Sequence, residues 1–261
     1  RNRLINTRWP DEIPGTEWDY GANLGYMKEL VDYWINTYDW RKEEAALNSF
    51  NHFRSTIDGI GIHFIHERGH GPNPIPIIIT HGWPGSVFEL TKLIRMLSDP
   101  GSNGGDPSDA FDVIAPSLPG YGFSDPPMTR GINTNQVADF WIRLMKDELG
   151  YTKFAAHGGD WGAIITTRMG YAYPEQLVGI HTTSVSGTPN PRPEDAPLSE
   201  KEQNVFAQRD SWWQREAAYA HLQMTKPQTI AYALNDSPVG LAAWLIDKFR
   251  MWSDCNGDIE S

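Results

Sequence analysis

The chain has 261 residues, enough for one large domain with an insertion, and a net charge of −11 that argues against nucleic acid or an anionic membrane surface as a partner. A single cysteine, Cys255, rules out an internal disulfide framework and fits a reducing compartment. Neither a signal peptide nor an apolar run of about 20 residues is visible, so no membrane association and a cytoplasmic location are expected.

In chain order, apolar residues recur at helical spacing over 24–38 (Leu24, Met27, Leu30, Val31, Trp34, Ile35, Tyr38). A second helix is expected over 43–53. Residues 54–67 alternate apolar and polar around Asp58-Gly59, the signature of a β-hairpin. Residues 76–80 form a buried-strand run ending in His81-Gly82-Trp83-Pro84-Gly85. A helix over 87–97, a Gly/Asp/Pro/Ser loop over 98–110 and a strand over 111–115 follow. An amphipathic helix is predicted over 133–149, capped by Asn133 or Thr134 and stopped by Gly150. Strands are expected at 154–156 and 177–183, with a helix from Ala163 to Met169 between them. Alternating strands and helices imply a mostly parallel sheet with helices on both faces. Beyond Gly187 the pattern becomes proline-rich over 188–198 and then helical, rich in Trp, Tyr and Ala.

The run His157-Gly158-Gly159-Asp160-Trp161-Gly162 joins a strand to a helix through a turn with a small residue two places either side of Asp160. Such a turn tolerates little bulk and lifts its central side chain clear of the sheet edge. A carboxylate there restricts the chemistry. Attack on a saturated carbon leaves an ester, which water can hydrolyse at the carboxylate's own carbonyl; a serine would leave an inert ether. An epoxide or alkyl halide is therefore the expected electrophile. Hydrolysing that ester needs an oxyanion hole, for which the Trp161 and Trp83 backbone N–H groups are the expected donors. The plainer reading of Asp160 is an exposed cap of the following helix.

These motifs, with Gly120-Tyr121-Gly122-Phe123-Ser124, resemble the α/β-hydrolase-fold epoxide hydrolases. The stretch Tyr33-Trp34, Tyr38-Asp39-Trp40-Arg41, Leu47-Asn48, Phe53, Ile57-Asp58-Gly59 and Ile62-His63-Phe64 is similar to the N-terminal segment of the microsomal-type branch. The resemblance implies an N-terminal wrapping segment over 1–53, the first part of the hydrolase core over 54–187 and a helical lid over 188–261. It also implies an activity: hydrolysis of an apolar or aryl epoxide to a vicinal diol, with Asp160 as nucleophile. Lid tyrosines would donate a proton to the epoxide oxygen; Tyr219, in the segment Trp213 to His221, is assigned that role, and Tyr232 is read as packing. The aromatic residues Trp212, Trp213, Trp244 and Trp252 favour an apolar substrate. Detoxification and tailoring of a natural product are both settings the resemblance implies.

The general-base histidine, its carboxylate and a second lid tyrosine have no match in these 261 residues. His81 and His157 are read as structural, because the base must face the nucleophile from another loop. The chain is therefore expected to be truncated within the lid, with the rest of the fold supplied by the same or a companion polypeptide. Small-molecule epoxide and water are the expected partners, a homodimer is left open, and the chemistry calls for no cofactor or metal. Asp254 and Asp258 are read as a polar turn, since later calcium ligands are absent. Two alternatives stand beside this reading: a haloalkane dehalogenase using the same Asp160, and a non-catalytic small-molecule binder that lacks the base.

Overall fold

The computed structural model describes residues 1–184 and 197–260; the expected start of the lid at Gly187 lies outside them. The chain divides into two compact units, one made of Arg1–Trp40 with Asn190–Ser261 and the other of Arg41–Pro189.

The second unit is built on a six-stranded sheet: β1 (His52–Ile57), β2 (Ile60–Glu67), β3 (Ile75–Thr80), β4 (Phe111–Pro116), β5 (Phe154–Gly158) and β6 (Leu177–Thr182), in the order β1-β2-β4-β3-β5-β6. The expected hairpin joins β1 to β2, and Asp58 and Gly59 both take positive φ, as a two-residue turn between right-twisted strands demands. β2 pairs antiparallel with β4, and the remaining pairs are parallel. Both faces are covered, which is why the strands read as near-continuous apolar runs. Ile62, Ile78 and Ile114 face one core, with Val137, Trp141, Phe154 and Ile165. Ile65, Ile79 and Val113 face the other, with Val87, Ile94 and Leu90. Ile62, Ile65, Ile78, Ile79 and Ile114 are fully buried, each contributing about 1.5–3 kcal/mol of transfer free energy.

Two local outcomes differ from the sequence pattern. The helix expected over 43–53 runs instead over Trp40–Leu47, and Phe53 enters β1 opposite Phe64, their rings 5.7 Å apart. Cross-strand pairing with β2 outweighs the weak helical periodicity there. The helix over 133–149 is α-helical over Thr134–Arg143, with the Asn133 side chain accepting from the Asn135 and Gln136 N–H groups. Its last turn, Leu144–Glu148, widens to a π-turn in which Leu144 and Met145 are both buried, before Gly150 stops it.

In the first unit the helix Leu24–Asn36 buries Met27 and Val31 against Leu4 and against Val239 of the helix Pro238–Trp252. The helix Glu200–Glu216 starts at a capping box, with Ser199 and Glu202 each accepting from the other's backbone. Helices Ala218–Thr225 and Pro227–Asp236 lie between these two. Tyr232, expected to pack, is 74 % exposed. Asn256 and Gly257 take positive φ and the Asp258 N–H donates to the Cys255 carbonyl, closing a turn. Among the described residues, no helix is long and apolar enough to cross a membrane.

Candidate active site

The parallel register pairs Thr80 with Gly158. The carboxyl ends of β3 and β5 therefore lie side by side, and the turn 81–85 and the turn 158–162 leave the sheet together. The chain runs from β3 to β4 on one side and from β5 to β6 on the other, so these two ends flank the point where strand order reverses. In open α/β sheets that is where ligands bind.

Asp160 sits between β5 and the helix Trp161–Ala172 with φ 49° and ψ −119°, a conformation that costs a non-glycine residue about 1–3 kcal/mol. Glycine makes the turn sterically possible. A β-carbon on Gly158 would lie 2.3 Å from the Gly162 carbonyl, and one on Gly162 would lie 2.1 Å from the Thr80 carbonyl oxygen. The Asp160 N–H donates to Ser184 Oγ at 3.3 Å, and its carbonyl accepts from Ala163 and Ile164. Its side chain is exposed at the sheet end, as the strand–turn–helix pattern implies.

The turn after β3 approaches this carboxylate closely. Trp83 N–H donates to Asp160 Oδ1 at 2.8 Å. Gly82 permits the approach, since a β-carbon there would lie 2.5 Å from the Asp160 β-carbon. The Trp83–Pro84 peptide bond is cis. Trp161 is the first residue of its helix, so its N–H has no carbonyl of the preceding turn to bond. The two backbone groups expected as donors thus come from the two turns that flank Asp160.

Other side chains complete the setting, among them His81 and His157, read from sequence as structural. His81 is buried; its Nε2 accepts the Leu118 N–H at 3.1 Å, which leaves Nδ1 to donate to the Gly82 carbonyl at 3.3 Å. Burial lowers its pKa, so it serves as a neutral tie between the turn 81–85 and the 117–121 segment. Tyr121 packs 5.3 Å from the His81 ring, and burial, reinforced by the Asp160 charge, pushes its phenol up to about 12. Glu89 lies in the helical turn Val87–Leu90 beside the same loop. His157 pairs with His181 through Nδ1 atoms 2.9 Å apart. Among the described residues, no histidine hydrogen-bonds the Asp160 carboxylate.

Tyr219 belongs to the first unit, on the helix Ala218–Thr225. Its ring lies 5.0 Å from Trp252, with the Lys248 ammonium 5.6 Å from its centroid. Trp252 in turn meets Trp212, which stands edge-on to Trp213.

A family model described as "alpha/beta hydrolase fold" matches residues 75–243, and one described as "Epoxide hydrolase N terminus" matches residues 1–90. The chain belongs to the α/β-hydrolase fold family. It is 47% identical over 261 residues to a Stigmatella aurantiaca protein named "Putative epoxide hydrolase", matching 100% of this chain and 59% of that protein. It is 36% identical to "Epoxide hydrolase 1" of Oryctolagus cuniculus, over 97% of this chain and 59% of the relative. The solved structure of Aspergillus niger epoxide hydrolase superposes with a TM-score of 0.84 at 28% identity, over 96% of this chain and 66% of that one. The chain therefore spans about three-fifths of the length of the curated relatives it matches.

Proposed function

We propose that the protein hydrolyses an apolar or aryl epoxide to a vicinal diol through a covalent ester on Asp160. The observation that carries this reading is the hydrogen bond from Trp83 N–H to Asp160 Oδ1. It divides the labour between the carboxylate oxygens. Oδ2 attacks the less hindered or more electrophilic ring carbon as the ring C–O bond breaks. Oδ1 becomes the ester carbonyl oxygen and already faces the donor that stabilises it as an oxyanion.

Ring opening leaves an alkoxide. Tyr219 and a second tyrosine outside these residues hold that oxygen and supply its proton, a task suited to a phenol that is neutral at pH 7. Water, deprotonated by a histidine–carboxylate pair also outside these residues, then attacks the Asp160 Cγ. Trp83 and Trp161 N–H groups stabilise the tetrahedral oxyanion, and its collapse releases the diol and restores the carboxylate. Names of relatives at 36–47% identity support the epoxide as substrate, and the Trp212, Trp213, Trp252 and Tyr219 cluster supports an apolar one.

The test is the intact mass of the protein, denatured after brief exposure to styrene oxide. One epoxide mass added on the peptide holding Asp160, absent in Asp160→Asn, is the expected result. An adduct that persists in Asp160→Asn, or diol production by that variant at the wild-type rate, overturns the assignment. Halide release from a chloroalkane in place of epoxide turnover would assign the dehalogenase alternative.

A further inference from the structure

Sequence alone places Glu89 in an ordinary role. Ser86-Val87-Phe88-Glu89 has the S-x-x-E spacing of a capping box, in which the glutamate reaches back to the cap residue's own N–H. The structure makes only half of that motif. Ser86 Oγ accepts from the Phe88 N–H at 3.3 Å, while the Glu89 carboxylate turns away into the loop 81–85. Glu89 Oε2 fills the space left by the missing side chain of Gly85, lying 1.5 Å from where its β-carbon would be.

We propose that Glu89 is a positioning residue for the oxyanion hole: its carboxylate fills the 81–85 turn from inside against Gly85 and holds its shape, so that the N–H of Trp83 is aimed at Asp160 Oδ1. His81 fixes the same turn from its other side through the Gly82 carbonyl. The setting of the carboxyl agrees with this. Desolvation by the loop pushes it up, the Gly82 N–H draws it down, and the nearby Asp160 charge pushes it up again.

The proposal rests on the covalent reading and separates its two half-reactions. During alkylation, charge leaves the Asp160 carboxylate, so a misaimed Trp83 N–H costs nothing. During hydrolysis, charge develops on Oδ1 and the donor is needed. In the full-length active protein, single-turnover mass spectrometry with styrene oxide gives both rates. Glu89→Ala is expected to slow decay of the Asp160 adduct by about tenfold or more, short of the ~10²–10³ for deleting a donor outright, and to leave its formation within about threefold. Glu89→Gln keeps the shape and volume of the side chain inside the loop and is expected to decay within about threefold of wild type. Gly85→Ala, which puts a methyl where the carboxylate sits, should reproduce the Glu89→Ala defect, and the double variant should be no worse than either single one. Unchanged decay in Glu89→Ala, equal slowing of both steps, a glutamine variant as slow as the alanine one, or additive losses in the double variant overturns the proposal. If the wild type forms no Asp160 adduct, it is the covalent reading that fails instead.

Discussion

Adding one methyl group at Gly162 tests whether the contact between the two turns organises the site. A β-carbon there would lie 2.1 Å from the Thr80 carbonyl oxygen, 2.8 Å from its carbon and 3.1 Å from the His81 carbonyl oxygen. Real β-carbons stay at least 3.0 Å from such atoms, so the helix and the end of β3 must separate by 0.9 Å or more (3.0 minus 2.1). All three clashing atoms are backbone and none can swing aside. Overpacking of this kind costs about 1–3 kcal/mol. The same shift would stretch the 2.8 Å bond from Trp83 N–H to Asp160 Oδ1 to 3.7 Å (2.8 plus 0.9), beyond hydrogen-bonding range. Gly162→Ala is therefore expected to lower the urea midpoint and to slow decay of the Asp160 ester by ~10²–10³, the loss that follows removal of one oxyanion donor. Gly179→Ala is the control, because a β-carbon there meets nothing within 4 Å, and it should change stability by less than about 1 kcal/mol. A Gly162→Ala protein with the wild-type midpoint and ester decay would refute the argument.

Other expectations follow from the same structure. Tyr219→Phe should slow adduct formation by something within the ~10²–10⁴ typical of general acids and leave ester decay unchanged; equal formation rates would return Tyr219 to packing against Trp252. Thr80→Val should cost about 1–3 kcal/mol in urea melts, because it strips the acceptor from the fully buried Trp141 Nε1–H, now 3.1 Å from Thr80 Oγ1; an unchanged midpoint would mean the indole finds another partner. Burial, aided by the His52 and Arg54 charges, lowers the pKa of His63 from 6.5 to about 4. The folded state then binds fewer protons than the unfolded chain between those values. The stabilisation is complete above pH 6.5 and declines by roughly 3 kcal/mol as pH falls to about 4. His63→Gln should flatten that part of the stability profile, and parallel profiles for the two proteins would refute the assignment.

Much of the architecture was legible because its signals are local. Asp58-Gly59 marks a turn that only residues tolerant of positive φ can make, and the hairpin is there. Asn133 and Gly150 bracket a helix because a cap and a stop act within a few residues of themselves. The Gly158–Gly162 turn was legible for the same reason. Where the competing force was distant, the pattern misled. His52 and Phe53 lost their helical tendency to pairing with β2, and Tyr232 carries its ring on an exposed helix face that composition alone does not reveal.

The sequence by itself determined the nucleophile candidate, Asp160, and the glycines that let it stand in a strained turn, because both depend on side-chain size at fixed short spacing. Only the tertiary structure decided what that carboxylate touches. The parallel register of Thr80 with Gly158 brings Trp83 to Asp160 across 77 residues, and the Glu89 carboxylate lies inside the loop 81–85 instead of completing a capping box. Backbone N–H groups are the same at every residue except proline, so no choice of side chain announces which of them will face a reacting oxygen. That is settled by strand register and by the close approach of two turns.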